Sequence, residues 1–99
     1  MKRVILDLNH PTFQEDWFGL PPIEASRVMD ALRKIASLTW NQLYADRGIW
    51  WELIKSKVAP DGNRRYSLRI GQKMRGVGFR EGDILRLESL HPDHDSAYN

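Results

Sequence analysis

The sequence predicts an α+β fold: a small antiparallel sheet, built from an N-terminal strand and a C-terminal meander, packed against two or three helices. Three observations lead there. Residues 3–8, RVILDL, are β-branched and apolar enough for a strand. Residues 22–37 repeat apolar side chains at helical spacing. Residues 66–98 hold three short strand-like runs divided by turn residues and followed by a His/Asp-rich tail. At 99 residues the chain is expected to be one domain, 1–99, with one core.

Composition narrows the classes of function. Apolar residues make up 41% and charged residues 28%, as in an ordinary globular protein. There is no cysteine, which excludes disulfides, thiol chemistry and thiolate zinc sites and fits a reducing compartment. The apolar run Val4–Leu6 is broken by Asp7, too short for a signal peptide core. No window approaches the ~18 apolar residues of a membrane span. A soluble, cytoplasmic protein with no membrane partner is therefore expected. A net charge of +2 does not by itself argue for nucleic acid. Its distribution says more: from Lys55 to Arg86 there are nine Lys/Arg against three Asp/Glu, so the basic charge gathers on the sheet half.

In chain order, His10-Pro11 ends the first strand, and Thr12 is expected to cap a short helix through Phe18 with Phe13 and Trp17 on one face. Gly19-Leu20-Pro21-Pro22 breaks it. The second helix runs from Pro22 to Ser37; Val28, Leu32 and Ile35 form its apolar stripe, and Arg27, Asp30, Arg33 and Lys34 its wet face. Thr39 to Gln42 reads as a capping box for a third helix ending at Ala45 or Asp46. Residues 50–57, WWELIKSK, read as a strand with apolar groups on both faces. Its two tryptophans belong to the core more readily than to a stack of bases. Pro60-Asp61-Gly62-Asn63 is a turn.

Tyr66–Ile70, Arg75–Arg80 and Ile84–Leu90 then form the meander. A three-residue loop, Glu81-Gly82-Asp83, would pair Phe79 with Leu85 and Val77 with Leu87. For the first hairpin, a four-residue loop, Gly71–Met74, pairs Leu68 with Val77; a three-residue loop would place Leu68 opposite Gly76. Apolar matching favours the four-residue loop. The covered face is then Tyr66, Leu68, Ile70, Val77, Phe79, Leu85 and Leu87. The open face is Ser67, Arg69, Gly76, Gly78, Arg86 and Glu88, with the glycines leaving room for long side chains or for a ligand.

These residues resemble a known family. YSLRI, then MRGVGF, then DILRLESLH with a tail tyrosine, is similar to the RelE/ParE superfamily of bacterial toxins, and closer to its RelE and YoeB branches. Their pattern is an aromatic-x-basic strand, a short turn, an arginine opening the next strand, a final strand, and a tail with His or Arg plus Tyr. The likeness covers the last third of the chain well and the helical half in outline. It implies the toxin of a type II toxin–antitoxin system, a RelE-like fold, and ribosome-dependent, metal-independent cleavage of mRNA in which the message's own 2′-hydroxyl attacks the adjacent phosphate. Such chemistry needs a base, an acid, and cations for the developing charge. The resemblance makes Arg75 the clamp of the scissile phosphate, His91 an acid or base, Tyr98 the stacking or orienting tyrosine, and Glu52 a candidate base. Arg69 matches one member of a basic pair whose other position is here the uncharged Ser67. Arg86, Lys73 and His94 complete the expected RNA-binding set.

The implied partners are a cognate antitoxin, the ribosome and mRNA, with no cofactor and no metal. A metal site made by His91, Asp93, His94 and Asp95 is weighed and set aside, because a contiguous tail cluster lacks a rigid spacing. Two alternatives stay open. One is a ParE-like toxin that inhibits DNA gyrase; the other is a degenerate member that only binds protein.

Overall fold

Side-chain caps fix where the first and third helices start. In the computed structural model, which describes residues 2–58, 61–93 and 97–98, the first helix α1 spans Pro11–Phe18. Its cap is His10, not Thr12: Nδ1 of His10 accepts from the Thr12 amide at 3.2 Å. Pro11 suits the first helical position because it has no amide hydrogen to satisfy. Helix α2 (Pro22–Ala36) begins at Pro22 and buries Val28, Leu32 and Ile35. Helix α3 (Trp40–Ala45) carries the expected capping box: the Gln42 amide donates to Thr39 Oγ1 at 3.2 Å and the Thr39 amide to Gln42 Oε1 at 2.9 Å. Such a cap is worth about 1 kcal/mol. No helix among the described residues is long and apolar enough to cross a membrane.

The strands are β1 (Ile5–Asp7), β2 (Glu52–Val58), β3 (Arg64–Arg69), β4 (Arg75–Glu81) and β5 (Ile84–His91). They form one five-stranded sheet in the order β1-β5-β4-β3-β2. The α+β architecture is the expected one. The meander is antiparallel, while β1 lies parallel to β5, with Ile5 opposite Ile84. The helices between β1 and β2 cover one face of this mixed sheet. There Phe13, Val28, Ile35, Trp40, Leu43 and Ile49 pack on Leu68, Leu85, Leu87 and Leu90. Trp40 Nε1–H donates to Asp83 O, tying α3 to the β4–β5 turn.

The register departs from expectation by one residue. Leu68 lies opposite Gly76 and Ser67 opposite Val77, so the first hairpin has the shorter loop. Ile70 N–H donates to Met74 O across it. The second hairpin turns in two residues, with Glu81 opposite Ile84 and Gly82 at φ +61°. A one-residue slip exchanges faces. Val77 and Phe79 therefore leave the helical core and join Ser67, Arg69 and Arg75 on the second face, while Gly76 and Gly78 move under the helices. Apolar matching misled because the second face is covered too. Val77 packs with Ile54 and Ala97, and the Arg65 guanidinium lies 4.2 Å from the centre of the Phe79 ring.

Candidate active site

Five residues set the frame of the second face. Arg69 on β3 sits opposite Arg75 on β4, and Arg75 opposite His91 on β5. One step along, Glu52 on β2 sits opposite Ser67 on β3. Strict alternation along β5 would not place His91 there. Leu85 and Leu87 face the helices, and with period two so would residues 89 and 91. The ladder instead shifts between Val77 and Gly78: Gly78 pairs with Leu87, but Val77 pairs with Ser89. The extra residue sends Leu90 into the core and turns Ser89 and His91 toward Arg75. A bulge of this kind re-aims side chains.

Gly78 is what admits the bulge. A Cβ there would lie 2.2 Å from the carbonyl oxygen of Arg86, whereas one at Gly76 would meet only side chains, the nearest at 3.4 Å. The two glycines thus serve the packing of the sheet and its covered face. They do not make room for a ligand beside Arg69 and Arg86.

The tail completes the site. Ala97 is fully buried against Ile54 and Val77, and Tyr98 packs beside them. Ser56 Oγ donates to Tyr98 O at 3.1 Å. The Tyr98 phenol shares a 3.0 Å hydrogen bond with Ser67 Oγ. Ser67 is only 2% exposed, so it supports the tyrosine and offers nothing to a phosphate directly. Burial and the neighbouring Glu52 carboxylate raise the Tyr98 pKa above 10.0, against the Ser67 bond and the Arg75 charge.

The arginines on this face divide into two kinds. Arg65 pairs with Glu88 and Asp61. Arg86, expected in the RNA-binding set, pairs with Asp7 and with Glu81, the latter at 2.8 Å, so its charge is shared with two carboxylates. Arg69 and Arg75 make no ion pair among the described residues. Arg75 Nη1 donates to the carbonyls of Lys73 and Met74, each at 3.3 Å. Burial and the Arg69 charge lower its pKa, with Tyr98 and Glu52 acting the other way. Nε of Arg69 is buried with no acceptor, and its guanidinium lies over the Trp50 ring at 5.7 Å. Two guanidinium groups on facing positions, neither held in an ion pair among the described residues, have the geometry and charge to clamp an anion.

His91 is half-buried, and its Nε2 lies 2.9 Å from Ser89 Oγ in a hydrogen bond. Burial and Lys57 lower its pKa below the ordinary 6.5, outweighing Asp16 and Asp93. The ring is therefore mainly neutral near pH 7. Lys73 sits in the exposed β3–β4 turn, where it and His91 line a groove of about 440 Å³ against α1 and α2. His94 lies outside the described residues, as does Asp95. Among the described residues, no group of three or more His, Asp or Glu side chains is placed to hold a metal ion.

The sequence passed over Trp50. It was grouped with Trp51 as core, and Trp51 does stack on Tyr66 at 4.7 Å and meet Trp40 edge-on. Trp50 is 56% exposed and lines a small depression with Glu52, Ser67 and Arg75. Two adjacent residues entering a strand point to opposite sides, and that was the available signal.

No family model matches the chain, and no curated protein matches it in sequence. Among solved structures, a copper-bound mutant toxin from Helicobacter pylori aligns over 97% of this chain and 98% of its own, at 21% identity and a TM-score of 0.50. At that identity the likeness is one of fold.

Proposed function

We propose that this chain is the toxin of a toxin–antitoxin pair and an endoribonuclease that cuts mRNA on the ribosome. The observation that carries the reading is the unneutralised Arg69–Arg75 pair, flanked by His91 on one side and by Tyr98 with Glu52 on the other. The toxin fold of the structural neighbour supports the general role.

In this reading Arg75, seconded by Arg69, holds the scissile phosphate. The 2′-hydroxyl attacks the adjacent phosphorus, forming the O2′–P bond as the P–O5′ bond breaks. Neutral His91 accepts the 2′-hydroxyl proton. Tyr98, which keeps its proton through neutral pH, gives one to the leaving 5′-oxygen, and Glu52 and Ser67 hold its phenol in place. Acid and base then stand on opposite sides of the clamped phosphate, as an in-line displacement needs. The arginines stabilise the charge gathering on the phosphoryl oxygens, and the ribosome supplies much of the alignment of the message. The cognate antitoxin would silence the chain by covering this basic face.

Induced expression tests the reading. Growth should arrest with mRNA cut inside translated codons, and Arg75→Ala and Tyr98→Phe should both relieve the arrest. Arrest that survives both substitutions and is accompanied by DNA damage would point to a gyrase-directed toxin instead.

A further inference from the structure

Trp50 has φ +49°, the one positive-φ residue other than glycine among those described. For a bulky side chain that conformation is an outlier. Its neighbours explain how it is enforced. Ile49 is 3% exposed in the core, and its amide donates to Asp46 Oδ1 at 2.9 Å. The Trp50 amide donates to Asp46 O at 3.1 Å, and the Arg69 amide to Ile49 O at 2.6 Å. Trp51 is drawn into the aromatic cluster of Trp40, Tyr44 and Tyr66. The residue between two inward side chains is thrown outward on a left-handed turn. Strain of this kind gathers at ligand clamps and active sites. Here it leaves more than half of a tryptophan open to solvent, so packing returns only part of the cost.

What stands beside the ring says what it is for. It borders the depression formed with Glu52, Ser67 and Arg75, and the Arg69 guanidinium lies over it. We propose that Trp50 is a stacking platform for one unpaired base of single-stranded RNA, that of a nucleotide flanking the phosphate held by Arg75. Stacking is tolerant of sequence but stronger for the larger purine ring system, so this position prefers a purine. Arg69 lies over the same ring and adds charge between the platform and the clamp. The proposal rests on the reading of this face as an RNA site and adds to it a base-selecting residue.

The test uses dye-labelled 2′-O-methyl oligoadenylate and oligouridylate, which cannot be cut, at low salt. The wild-type protein should bind oligoadenylate several-fold more tightly. Trp50→Phe should keep affinity within about threefold. Trp50→Ala and Trp50→Gly should lose roughly tenfold or more, and with it the preference for adenine. Trp50→Gly should melt no lower than the wild type, because glycine is at ease at φ +49°, which separates loss of binding from loss of fold. If Trp50→Ala binds both oligonucleotides as the wild type does while Arg75→Ala does not, the platform is wrong and the phosphate clamp stands. If Arg75→Ala also leaves binding unchanged, the clamp falls and the platform with it.

Discussion

Arg69 and Arg75 face each other across adjacent strands, repel, and have no ion pair among the described residues. Function and stability should therefore separate there. Arg75→Ala is expected to lower mRNA cleavage by roughly 10²-fold or more while leaving the melting temperature unchanged or slightly higher. Arg65→Ala should do the reverse. Arg65 bridges Glu88 and Asp61 and covers Phe79, so its loss should cost about 2–4 kcal/mol. The pH profile belongs to this scale too. If His91 is the base of the proposed reaction it must be neutral, and its pKa is lowered, so the rate should climb with pH below 6.5 and be nearly flat from there upward. It should fall only above pH 10, where Tyr98, whose pKa is raised, gives up its proton. A rate that falls as pH rises from 6 to 8 would make His91 the acid and refute the assignment. That Arg75, His91 and Tyr98 share one face was foreshadowed only by the resemblance, which names them by order along the chain; the register that brings Arg75 opposite His91 was not legible. Sequence spacing marked Ser67 as the uncharged member of a basic pair and could not reveal that its hydroxyl is buried and bonded to the Tyr98 phenol.

At the scale of elements, the β4–β5 ladder decides the site. The buried leucines of β5 fall at 85, 87 and 90, a break in period two that marks the bulge. Unbroken alternation through Glu88, together with a search for apolar partners for Val77 and Phe79, gave the slipped register. The tail that covers Val77 could not enter such a count, because it packs from more than a dozen residues away. The glycines now carry a sharp expectation. Gly78→Ala drives a methyl group into the Arg86 carbonyl and should cost roughly 3 kcal/mol or prevent folding. Gly76→Ala meets only the flexible ends of Ile70 and Leu87 and should cost no more than about 1 kcal/mol. Chemical denaturation of the two variants checks this. Equal costs would mean that the bulge is not what Gly78 serves, and His91 would lose its physical reason for facing Arg75.

For the whole molecule, the order strand, helices, meander was legible from periodicity and turn residues alone, and it set the fold. The direction in which β1 joins the sheet was not, because a short apolar run can dock on either side of a neighbour in either sense. Its parallel seat beside β5 leaves the helices on one face and the other face to the tail and the basic row. That division gives the molecule a helix-covered side and a side that carries the basic row. The proposed function assigns RNA cleavage to the side that carries the basic row. The most direct measurement incubates the purified chain with ribosomes carrying a defined mRNA and maps the 5′ ends by primer extension. Cuts are expected at the codon in the ribosomal A site, with 2′,3′-cyclic phosphate and 5′-hydroxyl ends and with loss of cutting in Arg75→Ala. Intact mRNA with the wild-type protein, or cutting that Arg75→Ala leaves undiminished, would contradict it.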